Sequence, residues 1–214
     1  MKIKLCKYLV KRYNINSIFL AEVILEKLKL SGTVQLKTAR VLLRKFQMSD
    51  AHDIYSNWLS DKDSARYNAW RVHSSVEETK EYLSEWIDSY EKKDYLHWAI
   101  ADKSTEEVIG SITVSNIKKR KKYCEVGYTI AKKLWNQGIA TEVLIAVLKY
   151  LTLEAGFETV CAFHDIRNEA SGKVMKKAGM KFVKNKTQVF LNSNNFIVKC
   201  SLYEYKRMGD TPLL

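Results

Sequence analysis

Leu134-Trp135-Asn136-Gln137-Gly138-Ile139-Ala140-Thr141-Glu142 is the stretch on which the fold turns. It joins an apolar, strand-like run to a segment in which Val143, Leu144, Val147, Leu148 and Leu151 recur at helical spacing. Gly138 permits positive φ or a close backbone approach, and the small Ala140 keeps the first helical turn open. The N–H groups from Gln137 to Thr141 then point into one concavity. A helix N-terminus with free amides is a ready site for a phosphate or pyrophosphate. Taken alone, a Gly-x-Ala junction is more often plain turn chemistry. It is neither the nucleoside triphosphate P-loop, since no Gly-Lys-Ser/Thr follows, nor the dinucleotide fingerprint with its three spaced glycines.

Upstream, Tyr95 to Ala101, Val108 to Ile117 and Tyr123 to Ala131 read as three strands joined by short turns, an antiparallel meander. Before them, Val41 to Phe46 alternates as a strand. Ser49 or Asp50 caps a helix carrying Ala51, Ile54, Tyr55, Trp58 and Leu59, and Ser75-Val-Glu-Glu78 is a capping box opening a second helix. The connection 61–74 holds Arg66, Tyr67, Trp70 and His73, aromatic enough for a lid or pocket wall and equally for packing on the sheet. Downstream come a helix over Thr141 to Leu153, a strand over Thr159 to Phe163, and a helix over Glu169 to Ala178 that Gly179 ends. Strands over Lys181 to Lys184, Gln188 to Leu191 and Phe196 to Tyr205 follow. This succession of strands and helices predicts an α/β or α+β domain, a mixed central sheet flanked by helices.

The 214 residues suffice for one domain with an appendage. Residues 1–32 read as a basic extension, helical from about Ser17 and closed by Ser31-Gly32, ahead of a domain over 33–214. Lys and Arg number 36 against 24 Asp and Glu, a net charge of +12 that favours anionic partners such as a ribosome or a polyphosphate cofactor. Cys6, Cys124, Cys161 and Cys200 have no metal-ligand or redox-motif spacing, so reduced thiols and no metal are expected. The N-terminal apolar run is too short for a signal peptide, and no stretch approaches the roughly 20 apolar residues of a membrane span. These features predict a cytoplasmic protein.

About thirty residues after the Gly138 junction comes Asn168-Glu-Ala-Ser-Gly-Lys-Val-Met-Lys-Lys-Ala-Gly-Met180. Together the two segments resemble the GNAT N-acetyltransferases, and within them the branch of ribosomal-protein N-terminal acetyltransferases. The resemblance runs from about Leu36 to Arg207. It includes Leu36 to Phe46 as first strand, Glu125-Val-Gly-Tyr-Thr-Ile130 as cofactor-splaying strand, and Gly138-Ile-Ala-Thr-Glu142 as pyrophosphate loop. Trp135 stands where the superfamily usually has Gln or Arg, and the first thirty residues have no counterpart.

The resemblance implies the GNAT fold, acetyl-CoA as donor and a primary amine as acceptor. Pantetheine would lie along Glu125–Ala131, with a backbone N–H near Tyr128, Thr129 and Ile130 meeting the oxyanion that forms at the acyl carbon. Gln137, Gly138, Ile139, Ala140 and Thr141 would hold the pyrophosphate. Lys132, Lys133, Lys173, Lys176 and Lys177 are cations near the nucleotide or solvated surface charges. Asn168 would bond a cofactor amide, cap the helix it precedes, or both. Ser171 would protonate the leaving thiolate, unless it only keeps the helix close to the cofactor. Glu125 is the candidate base, with pairing to Lys121 and Lys122 as the plain alternative; His97, His164 and Asp165 rank below it. The acceptor is either a protein N-terminal α-amine or a small molecule, the latter kept open by Asp61 and Asp63 in the 61–74 connection. A GNAT-like domain that binds acyl-CoA or RNA without turnover is the rival class, and a homodimer is left open.

Overall fold

The computed structural model describes residues 28–68, 70–190 and 196–207. Eight strands form one sheet in the order β1-β2-β3-β4-β5-β6-β8-β7. They are β1 Leu36–Lys37, β2 Val41–Arg44, β3 Leu96–Asp102, β4 Val108–Lys118, β5 Tyr123–Ile130, β6 Thr159–Asp165, β7 Lys181–Phe190 and β8 Phe196–Lys206. Every neighbouring pair is antiparallel except β5 and β6, which run parallel through a helical crossover. The helices are α1 Ala51–Ile54, α2 Lys62–Ala65, α3 Val76–Asp88, α4 Ile139–Lys149 and α5 Glu169–Lys177.

The two faces of the sheet follow from side-chain alternation. On one face Trp98, Ile112, Val126, Cys124 and Val160 pack under α4 and α5, which contribute Val143, Leu144, Val147 and Met175. On the other, Ala99, Ala101 and Val108 pack under Ile54, Trp58 and Leu83 from the α1 and α3 region. Ser75 caps α3 as read, its hydroxyl accepting the Glu78 N–H at 3.2 Å, while the Glu78 carboxylate reaches back to the Ser74 N–H at 2.8 Å.

Three features depart from the sequence reading. The predicted first helix is a 3-10 turn over Met48–Asp50, then α1, then a wider π turn over Tyr55–Leu59; the helix predicted through Leu153 likewise widens to a π turn at Tyr150–Glu154. Each widening buries three consecutive residues, Asn57 to Leu59 and Tyr150 to Thr152, and so takes in a polar side chain that the apolar spacing passes over. Asp50 does not cap α1 by its side chain but accepts the Gln47 N–H and a two-pronged contact from Arg44 at 2.8 and 2.9 Å. The strands predicted over Lys181 to Lys184 and Gln188 to Leu191 are one strand, β7, whose polar middle pairs along β8, with Ser201 donating to Asn185 Oδ1 at 2.9 Å.

Of the basic extension, the helix expected from about Ser17 lies outside the described residues. Leu28 and Leu30 pack against the core, and the Lys29 N–H donates to the Ala155 carbonyl at 3.0 Å. No helix among the described residues is long and apolar enough to cross a membrane. Cys124, Cys161 and Cys200 are free thiols in buried positions, and Cys6 falls outside the described residues.

Candidate active site

β5 and β6 pair at three positions only: Tyr123 with Thr159, Cys124 with Val160, and Glu125 with Cys161. Beyond Glu125, β5 continues along β4 and β6 continues along β8, so the two strands part. The Ala131 N–H donates to the Ile109 carbonyl at 2.8 Å, which fixes the phase of β5. Backbone groups of Gly127 and Thr129 therefore face β4, and those of Tyr128 and Ile130 face the opening. Gly110 permits this close seam with β4, since a Cβ there would sit 2.3 Å from the Thr129 carbonyl oxygen. The Ile130 carbonyl is met by the Trp135 indole N–H at 2.8 Å. The aromatic that departs from the usual motif thus closes one edge group of the opening.

The same alternation sorts the side chains. Glu125 and Tyr123 lie on the α1–α3 face, and Tyr128 lies on the α4–α5 face. Tyr123 donates to Glu125 Oε1 at 2.5 Å. Glu125 is half-buried, and neighbouring Lys122 turns instead to Glu158 at 3.5 Å. On the opposite face the Tyr128 hydroxyl lies 3.0 Å from Ser171 Oγ and 3.1 Å from the Ser171 carbonyl oxygen. Burial pushes the Tyr128 phenol well above its ordinary range, so it stays protonated. The structure thus brings Tyr128 and Ser171 together and sets Glu125 across the sheet from them.

Past β5 the chain turns through Asn136 and Gly138, with φ of 63° and 78°, into α4. Gly138 supplies no side-chain cap. The first helical bond of this turn runs from the Glu142 N–H to the Gly138 carbonyl at 3.1 Å, so the amides of Ile139, Ala140 and Thr141 precede the helical ladder. Gln137 and Gly138 are exposed, Ile139 is buried, and Ala140 and Thr141 are half-buried. Unpaired amides, an αL glycine and an open strand edge are what an acyl donor with a pyrophosphate would require. At the start of α5, Asn168 Oδ1 accepts the Ser171 N–H at 3.2 Å, which is a cap and leaves its carboxamide nitrogen for another partner.

The remaining candidates are either engaged elsewhere or exposed. Lys132 pairs with Asp63 and Lys133 with Glu107, each at 2.5 Å, while Lys173, Lys176 and Lys177 are exposed. Asp61 caps α2, accepting the Asp63 and Ser64 N–H groups at 3.2 and 3.1 Å. Both acidic residues of the 61–74 connection thus have partners within the chain, Asp63 in a half-exposed ion pair. His164 donates from Nδ1 to the Asp165 carbonyl at 2.7 Å, and Asp165 is held by Arg167. His97 is buried among Phe46, Trp86 and Tyr95, and burial pushes it down to about 3. Among the described residues no cluster of His, Cys, Asp and Glu could hold a metal.

Three side chains were not singled out for these contacts by the sequence: Tyr123, the Tyr128 phenol, and Arg40, whose guanidinium donates to the Gln137 carbonyl at 2.8 Å. Tyr123 was accessible in principle, since two residues before Glu125 on a strand means the same face.

Comparison with known proteins points the same way. The family model for the acetyltransferase (GNAT) domain matches residues 40–181. The "Uncharacterized N-acetyltransferase YoaA" of Bacillus subtilis (strain 168) is 28% identical over 144 residues, 67% of this chain and 81% of that protein. The "Uncharacterized protein YkkB" of the same organism is 27% identical over 160 residues, 72% and 90% of the two chains. Among solved structures, an acetyltransferase (GNAT family) from Bacillus anthracis superposes with a TM-score of 0.70 at 22% identity, covering 81% of this chain and 99% of that one. The ribosomal-protein-S5-alanine acetyltransferase from Vibrio fischeri superposes with a TM-score of 0.71 at 20% identity, covering 84% and 100%. Both share the fold.

Proposed function

The chain belongs to the GNAT acetyltransferase family, and from that premise we propose that it acetylates a protein N-terminal α-amine at the opening between β5 and β6. The observation that carries this reading is the parting of the strands just past Glu125, with Glu125 on one face and Tyr128 with Ser171 on the other. Acetyl-CoA supplies an acetyl group on a thiol leaving group. Gly138 to Thr141 hold its pyrophosphate from the α4 face, and the N–H groups of Tyr128 or Ile130 meet the acyl oxygen. The amine arrives from the Glu125 face.

Glu125 takes a proton from the ammonium, directly or through water, so that the nitrogen lone pair can form the new N–C bond. As the C–S bond breaks, the sulfur takes the Ser171 hydroxyl proton, the nitrogen gives up its second proton to solvent, and Ser171, held by the Tyr128 phenol, is reprotonated from solvent. An α-amine titrates near ~8 and a Lys amine near ~10.4, so one half-buried carboxylate is better matched to the α-amine. The engaged Asp61 and Asp63 also weaken the case for a polycationic small molecule. The S5-alanine acetyltransferase of Vibrio fischeri, similar in fold, supports a protein acceptor.

The test is thiol release from acetyl-CoA across N-terminal peptides, polyamines and aminoglycosides, with the acetylated position read by mass spectrometry. Peptide α-amines are expected to give the highest kcat/KM. Glu125→Gln should then lose ~10²–10⁴ in rate near neutral pH, a loss that shrinks as pH approaches the amine's own pKa. Preference for a polyamine would overturn the acceptor assignment, and unchanged rates in Glu125→Gln would remove that residue as base.

A further inference from the structure

Arg40 lies in the turn between β1 and β2, 97 residues before Gln137. Its side chain nevertheless grips the Gly138 turn at both ends. Nη1 donates to the Gln137 carbonyl at 2.8 Å and Nε donates to Glu142 Oε2 at 2.7 Å, while the Arg40 backbone N–H donates to Glu142 Oε1 at 2.9 Å. The contacts bracket Gly138, and a Cβ built on that glycine would lie 3.6 Å from Arg40 Nη2.

The geometry has a directional meaning. The described chain holds no cis peptide bond, and in a trans peptide the C=O and the following N–H point to opposite sides. With the Gln137 carbonyl turned to Arg40, the Gly138 N–H is turned away from it. Glu142, in the first turn of α4, would by itself set a negative charge beside the place where an anion is held. The salt bridge to Arg40 compensates that charge, and the Glu142 carboxyl is held below its ordinary range by its bonds to Thr38 and Arg40 against the opposing effect of burial.

We propose that Arg40 is a positioning residue for the donor: it holds the Gln137 carbonyl so that the Gly138 N–H joins those of Ile139 to Thr141 in facing the pyrophosphate, and it masks Glu142. The proposal rests on the reading of this turn as the pyrophosphate site. It assigns Arg40 to the far side of the Gln137–Gly138 peptide, acting through that peptide rather than on a phosphate oxygen. The first hairpin is thereby part of the donor site, although no phosphate-binding motif lies in it.

A positioning role and a bare charge effect differ in what lysine can replace. A planar guanidinium reaches the carbonyl and the carboxylate together, whereas an ammonium is a point donor. The test is calorimetric titration of the full chain, wild type and Arg40→Lys, Arg40→Gln and Glu142→Gln, with acetyl-CoA and with S-acetylpantetheine, which carries the acyl end without the nucleotide. Arg40→Gln should weaken acetyl-CoA binding about tenfold, the scale of losing charge-assisted hydrogen bonds. Arg40→Lys should fall within about threefold of Arg40→Gln, and S-acetylpantetheine affinity should be the same in every variant. If Arg40→Gln does not fold, Arg40→Lys carries the test, with acetyl-CoA binding expected to be at least about threefold weaker than wild type. Wild-type binding by Arg40→Lys, or an equal loss for S-acetylpantetheine, would overturn the positioning role while leaving the pyrophosphate site intact. If the wild-type protein does not distinguish the two donors, the pyrophosphate reading fails and this proposal with it.

Discussion

Two helices leave the strands that part, α4 after β5 and α5 after β6, and their first turns are built differently. At α5 the side chain of Asn168 takes up one first-turn N–H, that of Ser171, from within the chain. At α4 the corresponding residue is Gly138, with φ of 78° and no side chain to offer. The two ends lie on the same face of the sheet, Gly138 exposed and Asn168 half-buried. A capped end serves the helix it begins, and an uncapped one keeps its donors for something else. The same division runs through the ionisable side chains: His97 is enclosed by aromatic rings, while Glu125 is half-buried at the edge of the opening.

The sharpest way to break this contrast is to close the open end. Gly138→Asp places a carboxylate and a strained Cβ at the α4 turn, and acetyl-CoA affinity should fall about 100-fold by calorimetry while circular dichroism stays that of wild type, on the scale of losing a charge-compatible anion site at a helix start. Unchanged affinity would mean that the free amides serve nothing.

The enclosed histidine gives a smaller effect of known sign. Its folded pKa of about 3 lies below the unfolded value near 6.5, so the unfolded chain binds the proton first. Stability from this group is complete above about pH 6.5 and declines toward pH 3, by about 2 kcal/mol at pH 5. His73, which burial also pushes down, acts in the same direction. Urea unfolding from pH 7 to 5 should show the decline, and His97→Phe should flatten it; a wild-type curve flat across that range would mean that His97 is accessible to protons.

Removing the cap gives the smallest change. Asn168→Ala should cost about 1 kcal/mol of stability, a shift of roughly 2–4 °C in Tm for a domain of this size, which Asn168→Asp should restore. A loss of acetyl-CoA affinity as large as that of Gly138→Asp would erase the distinction between the two helix ends.

The sequence carried the parts of this contrast that are local. Gly138 before an amphipathic run, Asn168 three residues before Ser171, and Ser75 before Glu78 each announce a helix start through neighbouring residues, and the meander and crossover follow from periodicity. What joins elements distant in the chain was not legible. Arg40 meets Gln137 and Glu142 across 97 and 102 residues, and Tyr128 meets Ser171 across 43. No spacing rule reaches that far. The π turns at Tyr55 and Tyr150 escaped for another reason, since the residues they add to the buried face, Asn57 and Thr152, are polar and leave no mark in an apolar pattern.

The three-residue seam between β5 and β6 also bears on the order of events during turnover. On the proposed reading, the donor enters beneath α4 and the acceptor from the face of Glu125, so the two approach paths meet only at the parted strands and never cross. Either partner can then dock while the other is in place, and the acetyl group passes straight from one to the other with no side chain required to carry it in between. The departing thiol and the acetylated amine likewise retreat through separate doors, and neither blocks the exit of the other.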